Sequence, residues 1–367
     1  MTTALQQLGD RGQSPWIDHL SRPFVRNHEL ADMIDDGIVG VTSNPTIFHE
    51  AIAAGDAYDE QLREIGAAIQ DPKEVFLELA RRDVQDACDQ LRNVFDTGGR
   101  ARDGWVSLEV DPRLAYDTAA TIEEAQRLHA MIDRPNLFVK IPGTEPGLRA
   151  IEATVAAGIP VNVTLLFSLE RHRAAAEAYL RGLESLRERG GDLSTVASVA
   201  SFFVSRVDTE ADRRLEQIGR YEELAGTLAI ANAKLAYQSY KQLFSGAEWE
   251  QLARDGATSQ RCLWASTSTK NPAYRDVVYV EQLIGPETVN TMPRETIEAF
   301  LDHGQVRNTL EDTLNEAGRV FQGFEEAGID YSDIVAVLER EGVQKFVDSF
   351  TELLDGVAAK HGQLIAA

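Results

Sequence analysis

Positive charge is scarce in this chain. Lys and Arg number 36 against 59 Asp and Glu, which leaves a formal net charge of −23. Nucleic-acid and anionic-membrane surfaces are bound through basic footprints, so neither partner is expected. A phosphorylated ligand would need a local basic pocket set against the global field. Cysteine is scarcer still: Cys88 and Cys262 stand far apart with no CxxC, which excludes a disulfide framework and fits a reducing cytoplasm. No apolar run reaches membrane-spanning length, and Met1-Thr2-Thr3-Ala4 lacks the basic-then-apolar order of a secretion signal. A soluble cytoplasmic protein is the expectation. P-loop, GxSxG and HExxH motifs are missing, and no GxGxxG follows an early strand. The seven histidines make no metal-ligand cluster by spacing, and no acidic run forms a calcium loop, so no metal site is expected. Gly98-Gly99 and Gly190-Gly191 read as loop punctuation. Net charge carries no information about oligomeric state.

What is present is ample apolar content, 43% of 367 residues, enough for a large core. Length alone suggests two domains, yet an α/β barrel with additions reaches this size as one. Eight short strand-like runs recur: Trp16–Leu20, Val39–Ser43, Trp105–Val110, Leu137–Ile141, Pro160–Leu166, Val196–Phe203, Arg261–Ser266 and Glu287–Thr291. Helical stretches lie between them, among them Pro72–Phe95, Thr121–Ile132 and Leu169–Arg189. Strands alternating with helices indicate a parallel sheet, and eight of them favour a closed (β/α)8 TIM barrel over an open doubly wound sheet. The expectation is one barrel domain over residues 1–367. A helical insertion is expected at 210–258. C-terminal helices at 307–367, patterned around Thr309–Phe324 and Tyr331–Leu338, should pack outside the barrel.

Lysine occurs only seven times, at 73, 140, 234, 241, 270, 345 and 360. Six read as surface or helix positions. Lys140 does not: it stands in the apolar run Leu137-Phe138-Val139-Lys140-Ile141, bounded by turn residues, the pattern of a buried strand. Burying an ammonium is costly, so such a lysine is paired, deprotonated or covalently used, and desolvation makes it a candidate Schiff-base amine. An edge strand with the lysine head in water, or a structural ion pair, would give the same segment.

Neighbouring strands sharpen the choice. Strand side chains alternate between faces. Val106, Leu108 and Val110 oppose Ser107, Glu109 and Asp111. Leu137, Val139 and Ile141 oppose Phe138 and Lys140. Val161, Val163 and Leu165 oppose Asn162, Thr164 and Leu166. In a barrel the aliphatic face meets the outer helices and the polar face points inward, so Glu109, Lys140, Asn162 and Thr164 should converge near the C-terminal mouth. A carboxylate beside a lysine supports proton transfer, and hydroxyl and amide groups fix a water or a substrate oxygen. A satisfied structural network is the competing account. Asp18, in the first strand, joins this set. His19 should face the other way and form no dyad with it. Asn44, in Ser43-Asn44-Pro45-Thr46, reads by itself as a strand end, a turn and a helix start.

Taken in order, these segments resemble the transaldolase family. Gly40-Val41-Thr42-Ser43-Asn44-Pro45-Thr46-Ile47-Phe48 is similar to its Thr-Ser-Asn-Pro signature. Phe138-Val139-Lys140-Ile141-Pro142-Gly143-Thr144-Glu145-Pro146-Gly147-Leu148 is similar to its Schiff-base lysine signature. Ser107-Leu108-Glu109-Val110-Asp111-Pro112-Arg113-Leu114 and Asn162-Val163-Thr164-Leu165-Leu166-Phe167-Ser168 also match, and the resemblance runs from about Ser14 to Gly304.

The resemblance implies a class I aldolase-type barrel of the pentose phosphate pathway, moving a dihydroxyacetone unit from a ketose phosphate to an aldose phosphate. It implies that Lys140 forms the Schiff base and that Asp18 takes the C4 hydroxyl proton and returns it. Glu109 and Thr164 would hold a proton-shuttling water. Asn44, Asn162 and Ser201 would bind the dihydroxyacetone part. The iminium is its own electron sink, so neither metal nor organic cofactor is required. For the phosphate, Ala200-Ser201-Phe202-Phe203-Val204-Ser205-Arg206 offers Arg206 as a clamp, although Arg206 could equally pair with Asp208 or Asp212. Ala265-Ser266-Thr267-Ser268-Thr269-Lys270 departs from family branches that carry an arginine two residues after the serine. Here that position is Ser268, and Lys270 with Ser266 would supply the contacts. Two other readings stand beside this one: an aldolase of the same superfamily that releases free dihydroxyacetone, and a non-catalytic sugar-phosphate-binding protein.

Overall fold

In the computed structural model, which describes residues 2–98 and 102–366, eight parallel strands close into a barrel in chain order. They are β1 (Gln13–Asp18), β2 (Gly40–Thr42), β3 (Trp105–Glu109), β4 (Leu137–Pro142), β5 (Val161–Leu166), β6 (Ser198–Phe203), β7 (Arg261–Ala265) and β8 (Thr288–Met292). Met1, Gly99 and Ala367 lie outside the described residues, so of the Gly98-Gly99 pair only Gly98 is seen, closing the helix Arg92–Thr97. β1 starts before its expected apolar run, because Gln13, Ser14 and Pro15 are held by pairing with Thr288, Val289 and Asn290. Ladder pairing, not hydrophobicity, extends it.

The lower barrel interior is filled by aromatic side chains. The Trp105 and Phe138 rings stack at 4.1 Å, and Trp16 lies 6.2 Å from Phe138. All three are buried. Room for Trp16 comes from Gly40, whose added Cβ would lie only 2.4 Å from the indole. Beneath this plug Arg261 donates to Ser14 Oγ at 2.8 Å and pairs with Asp103 at 3.2 Å. These side chains fill the barrel interior as a packed core beneath the C-terminal ends of its strands.

The outward faces of β3 and β4 follow the expected alternation, and that of β5 does so through Thr164. A register shift then falls between Val163 and Leu166, with Leu165 at φ +61°. This one-residue bulge overturns the expectation for Leu165 and Leu166. Leu166 shares the outward side with Val163, both meeting the position of a Cβ on Gly143. Leu165 instead turns to the C-terminal helix at Gly342. The extra residue restarts the alternation, which sequence periodicity does not reveal.

Several strands hand directly into capped helices. The side chains of Asn44, Thr144 and Ser168 accept from the N–H groups of Ile47, Gly147 and Arg171, opening the helices Pro45–Ala53, Glu145–Ala156 and Leu169–Glu188. Gly147 is required by space, since a Cβ there would stand 2.1 Å from Pro142 O. Within the stretch 210–258, the helix Leu228–Leu243 packs on β7 and on the ring helix Leu169–Glu188.

The C-terminal helix, Tyr331–Ala366, is 36 residues long, roughly 54 Å at 1.5 Å per residue. Its buried stripe, Ile334, Leu338, Gly342, Phe346, Phe350, Leu353 and Val357, repeats every three or four residues, far past the Leu338 limit expected from the pattern. It lies outside the strand cylinder, packing on Pro45–Ala53 and Pro72–Gln90, and it also reaches β5. Thr46 Oγ1 donates to Ser349 Oγ at 2.9 Å, and Lys360 pairs with Asp59 at 3.0 Å. These contacts hold it across the open end of the barrel.

Replacing Gly40 with Ala drives a methyl into the Trp16 ring. The expected cost is about 1–3 kcal/mol, the range for overpacking a filled core, read as a lowered denaturation midpoint. An unchanged midpoint would contradict the packing described.

Candidate active site

A cavity of about 410 Å³ opens at the C-terminal ends of the strands. Asp18, Asn44, Lys140, Thr164, Ser201, Arg206, Ser266 and Lys270 all line it. A second cavity of about 350 Å³, walled partly by Phe138, Trp249 and Arg261, lies at the other end and contains none of the expected residues.

Register explains the centre. Glu109 pairs with Lys140 across β3 and β4, and Lys140 with Asn162 across β4 and β5. Lys140 Nζ therefore sits 3.0 Å from Glu109 Oε2, with both side chains buried, and donates to Ser43 O at 3.1 Å. The Phe346 ring covers the ammonium from above, with its centroid 5.6 Å away. Burial raises the Glu109 carboxyl above the usual range, with the lysine charge opposing. Apart from that ion contact, neither Glu109 oxygen has a hydrogen-bond partner among the described residues, and Thr164 Oγ1 has none either. Buried polar atoms left in this state are sites for a water or a ligand.

Asp18 ends β1 and pairs with Thr42 of β2. Thr42 Oγ1 lies 2.7 Å from both Asp18 Oδ1, to which it donates, and Thr291 Oγ1. Burial raises the Asp18 carboxyl; Lys140 and the Thr42 hydrogen bond oppose it. His19 also reaches the cavity, contrary to the alternation argument, because the strand stops at Asp18. Its Nε2 is 3.3 Å from Ser21 Oγ and its ring meets Phe24 edge-on, so its polar contact is with Ser21 and not Asp18.

Asn162 is not on the cavity wall. It is fully buried, donating to Ser107 Oγ at 3.1 Å and accepting from Ser201 Oγ at 2.7 Å. It orients Ser201, which does line the cavity. Asn44 uses its Oδ1 as the helix cap, at 3.1 Å from Ile47 N, so its amide NH2 is the group available to a ligand.

The cationic side is built after β6 and β7. Arg206 does not pair with Asp208 or Asp212. Asp208 accepts from Ala229 N and the Tyr279 hydroxyl, and Asp212 from Gly226 N and the Tyr274 hydroxyl. Arg206 instead stacks over Phe203 at 5.2 Å. Ser266 sits at φ +56°, a strained conformation for a non-glycine residue, with its Oγ 3.0 Å from Ser205 Oγ. Lys270 Nζ donates to Ser268 Oγ at 2.8 Å, bringing a cation beside the serine at the departing position.

Thr42, Thr291, Arg294, Lys345 and Phe346 also line the cavity, and none was singled out from sequence. Thr42 lay within a quoted motif on the inward parity of β2. Phe346 lies on the continued apolar stripe of the C-terminal helix, which was signal enough to extend that helix. Among the described residues, no group of three His, Cys, Asp or Glu side chains is placed to hold a metal ion. No helix among them is long and apolar enough to cross a membrane.

A family model described as transaldolase/fructose-6-phosphate aldolase matches residues 15–357. Curated relatives are similar across nearly their whole length. A transaldolase from Frankia alni is 49% identical over 367 residues, covering 99% of each chain. One from Mycolicibacterium paratuberculosis is 51% identical over 356 residues, covering 96% of this chain and 95% of that one. One from Thermobifida fusca is 50% identical over 362 residues, covering 98% of each.

The Asp18 environment gives a signed expectation. Its folded pKa is raised, so the carboxyl is neutral below that value and charged above it. The Thr42 hydroxyl favours the charged form. Thr42→Val should therefore move the Asp18 titration to still higher pH, while Thr42→Ser should not. Carbon-13 NMR of the carboxyl measures this; an unmoved titration in the valine variant would remove Thr42 from the account.

Proposed function

The chain belongs to the transaldolase/fructose-6-phosphate aldolase family, and from that premise we propose a Schiff-base mechanism centred on Lys140. The chain is an enzyme, a transaldolase. The observation that carries the proposal is the buried contact of 3.0 Å between Glu109 Oε2 and the Nζ of Lys140, which lines a cavity large enough for a sugar phosphate.

The donor is a ketose phosphate, sedoheptulose 7-phosphate or fructose 6-phosphate. The acceptor is an aldose phosphate, glyceraldehyde 3-phosphate or erythrose 4-phosphate. Attack requires a neutral amine. Glu109, with its carboxyl pKa raised by burial, accepts the lysine proton at low cost, because a neutral pair suits a desolvated site better than an ion pair. The amine adds to the donor ketone carbon. A water held by Glu109 and Thr164 carries the protons as the carbinolamine loses its hydroxyl to give the iminium.

Asp18 then takes the proton of the C4 hydroxyl. The C3–C4 bond breaks, its electrons pass to the iminium nitrogen, and the aldose phosphate leaves. The resulting enamine attacks the acceptor aldehyde, and Asp18 returns its proton to the new alkoxide. A carboxyl raised above the usual aspartate range suits a group that must both take and give the proton near neutrality. Asn44 and Ser201 bind the dihydroxyacetone hydroxyls, with Asn162 engaged behind Ser201 or, as the donor seats, with the ligand itself. Arg206, Ser266 and Lys270 receive the phosphate. Phe346 over Lys140 limits water access to the intermediate. A cytoplasmic setting and one barrel domain with helical additions complete the reading.

Borohydride reduction in the presence of fructose 6-phosphate should leave a dihydroxyacetone adduct on Lys140, located by peptide mass mapping. Lys140→Ala should lower transfer by at least about a thousandfold while the protein stays folded. An adduct on another lysine, or transfer surviving in the variant, would overturn the mechanism. Accumulation of dihydroxyacetone from fructose 6-phosphate without an acceptor, at a rate matching transfer, would favour the aldolase reading.

A further inference from the structure

We propose that Lys345, delivered by the C-terminal helix, is a phosphate-recognition residue of this cavity and makes that helix part of the substrate site. This deepens the sugar-phosphate reading and rests on it. Lys345 lines the cavity with Arg206 and Lys270. The three come from separate parts of the chain: Arg206 from the helix Ser205–Ile218 after β6, Lys270 from the turn after β7, and Lys345 from a helix some 75 residues beyond Lys270. They meet at one end of a protein whose formal charge is −23.

None of the three forms an ion pair among the described residues, whereas Lys73, Lys140, Lys241 and Lys360 each contact a carboxylate. In an acidic chain, uncompensated cations gathered in one cavity repel each other and need a reason. The cavity's carboxylates, Asp18, Glu50 and Glu295, belong to β1, to the helix after β2 and to the helix after β8. Those strands are neighbours in the barrel, so the cavity's carboxylates collect on the β8–β1–β2 side, where the one further cation among the lining arginines, Arg294, is paired with Glu29, and the cations without an ion pair lie on the β6–β7 side and in the helix above it. The Lys345 ammonium is held below the usual lysine range, first by Arg206, then by partial burial and by Lys270, in keeping with its place on the cationic side. A dianionic phosphate would relieve that repulsion.

The helix also has the anchorage needed to hold a ligand group. Phe346, next to Lys345, is buried against Lys140, Gly342 packs on Leu165 and Phe167, and Arg113 lies over the Phe350 ring at 5.2 Å. Lys345 itself is exposed at the rim, so its replacement removes a charge without opening the core.

The experiment has two readouts on wild type, Lys345→Gln and Lys345→Arg. Calorimetric binding of inorganic phosphate should weaken about tenfold in the glutamine variant, the scale of one lost charge-assisted contact, and recover in the arginine variant. The preference for fructose 6-phosphate over fructose as donor, compared as kcat/KM, should fall by a similar factor through KM. Phosphate affinity and donor preference within twofold of wild type in Lys345→Gln would overturn the inference. Equal losses toward both donors, with phosphate affinity intact, would also overturn it and assign Lys345 a structural role. Failure of the underlying reading would appear separately, as wild-type protein that turns over neither donor, and the phosphate titration would still decide the case of Lys345.

Discussion

The contact between Lys140 and Glu109 is the constraint around which the barrel mouth is arranged. Two ionisable groups buried side by side cost several kcal/mol in desolvation, and removing one partner of such a pair typically costs about 3–5 kcal/mol. The pair persists because strand register makes Glu109 and Lys140 direct neighbours, and because Ser43 O takes a further proton of the ammonium. The aromatic plug of Trp16, Trp105 and Phe138 closes the barrel beneath them. The same burial that makes the pair costly raises the Glu109 carboxyl above its ordinary range, and the proposed Schiff-base role of Lys140 draws on a carboxylate able to accept its proton.

Two carboxylates share this low-dielectric space with different surroundings. Glu109 faces the lysine and has no other side-chain partner among the described residues. Asp18 is steadied by a hydroxyl relay through Thr42 to Thr291. Both titrate above their ordinary values because of burial. Hydrogen-bond environment, not residue type, separates the two, and under the proposed mechanism it divides the carboxylate that serves the amine from the one that serves the sugar hydroxyl.

The C-terminal helix ties global charge to local chemistry. An acidic surface repels a phosphorylated substrate at long range, but such forces are screened beyond about 8–10 Å at physiological salt. Inside the mouth, Arg206, Lys270 and Lys345 line the cavity without an ion pair among the described residues and supply positive charge on one side of it. The helix that carries Lys345 also carries Phe346 over Lys140, so the proposed water exclusion and anion recognition would fall to adjacent residues on one element.

Much of this was legible in the chain. Alternating strand and helix patterns, with aliphatic residues at every second position of β3, β4 and β5 and Glu109, Lys140 and Thr164 on the opposite parity, are enough to indicate a barrel and to bring those three together, because strand period and parallel pairing are local rules. The helix start at Asn44 is readable for the same reason. Tertiary structure decided what depends on contacts between distant segments. The bulge at Leu165 reverses a face only because the C-terminal helix offers Gly342 to receive the side chain. Asn162 lies behind Ser201 rather than on the cavity wall because Ser107, from another strand, holds its amide. Arg206 is free of Asp208 and Asp212 because Tyr279, Tyr274 and the backbone of residues 226 and 229 occupy them first. Lys345 looks like any exposed helical lysine until a helix of 36 residues is laid across the mouth. Periodicity encodes which face a side chain takes, but not which distant partner has claimed it.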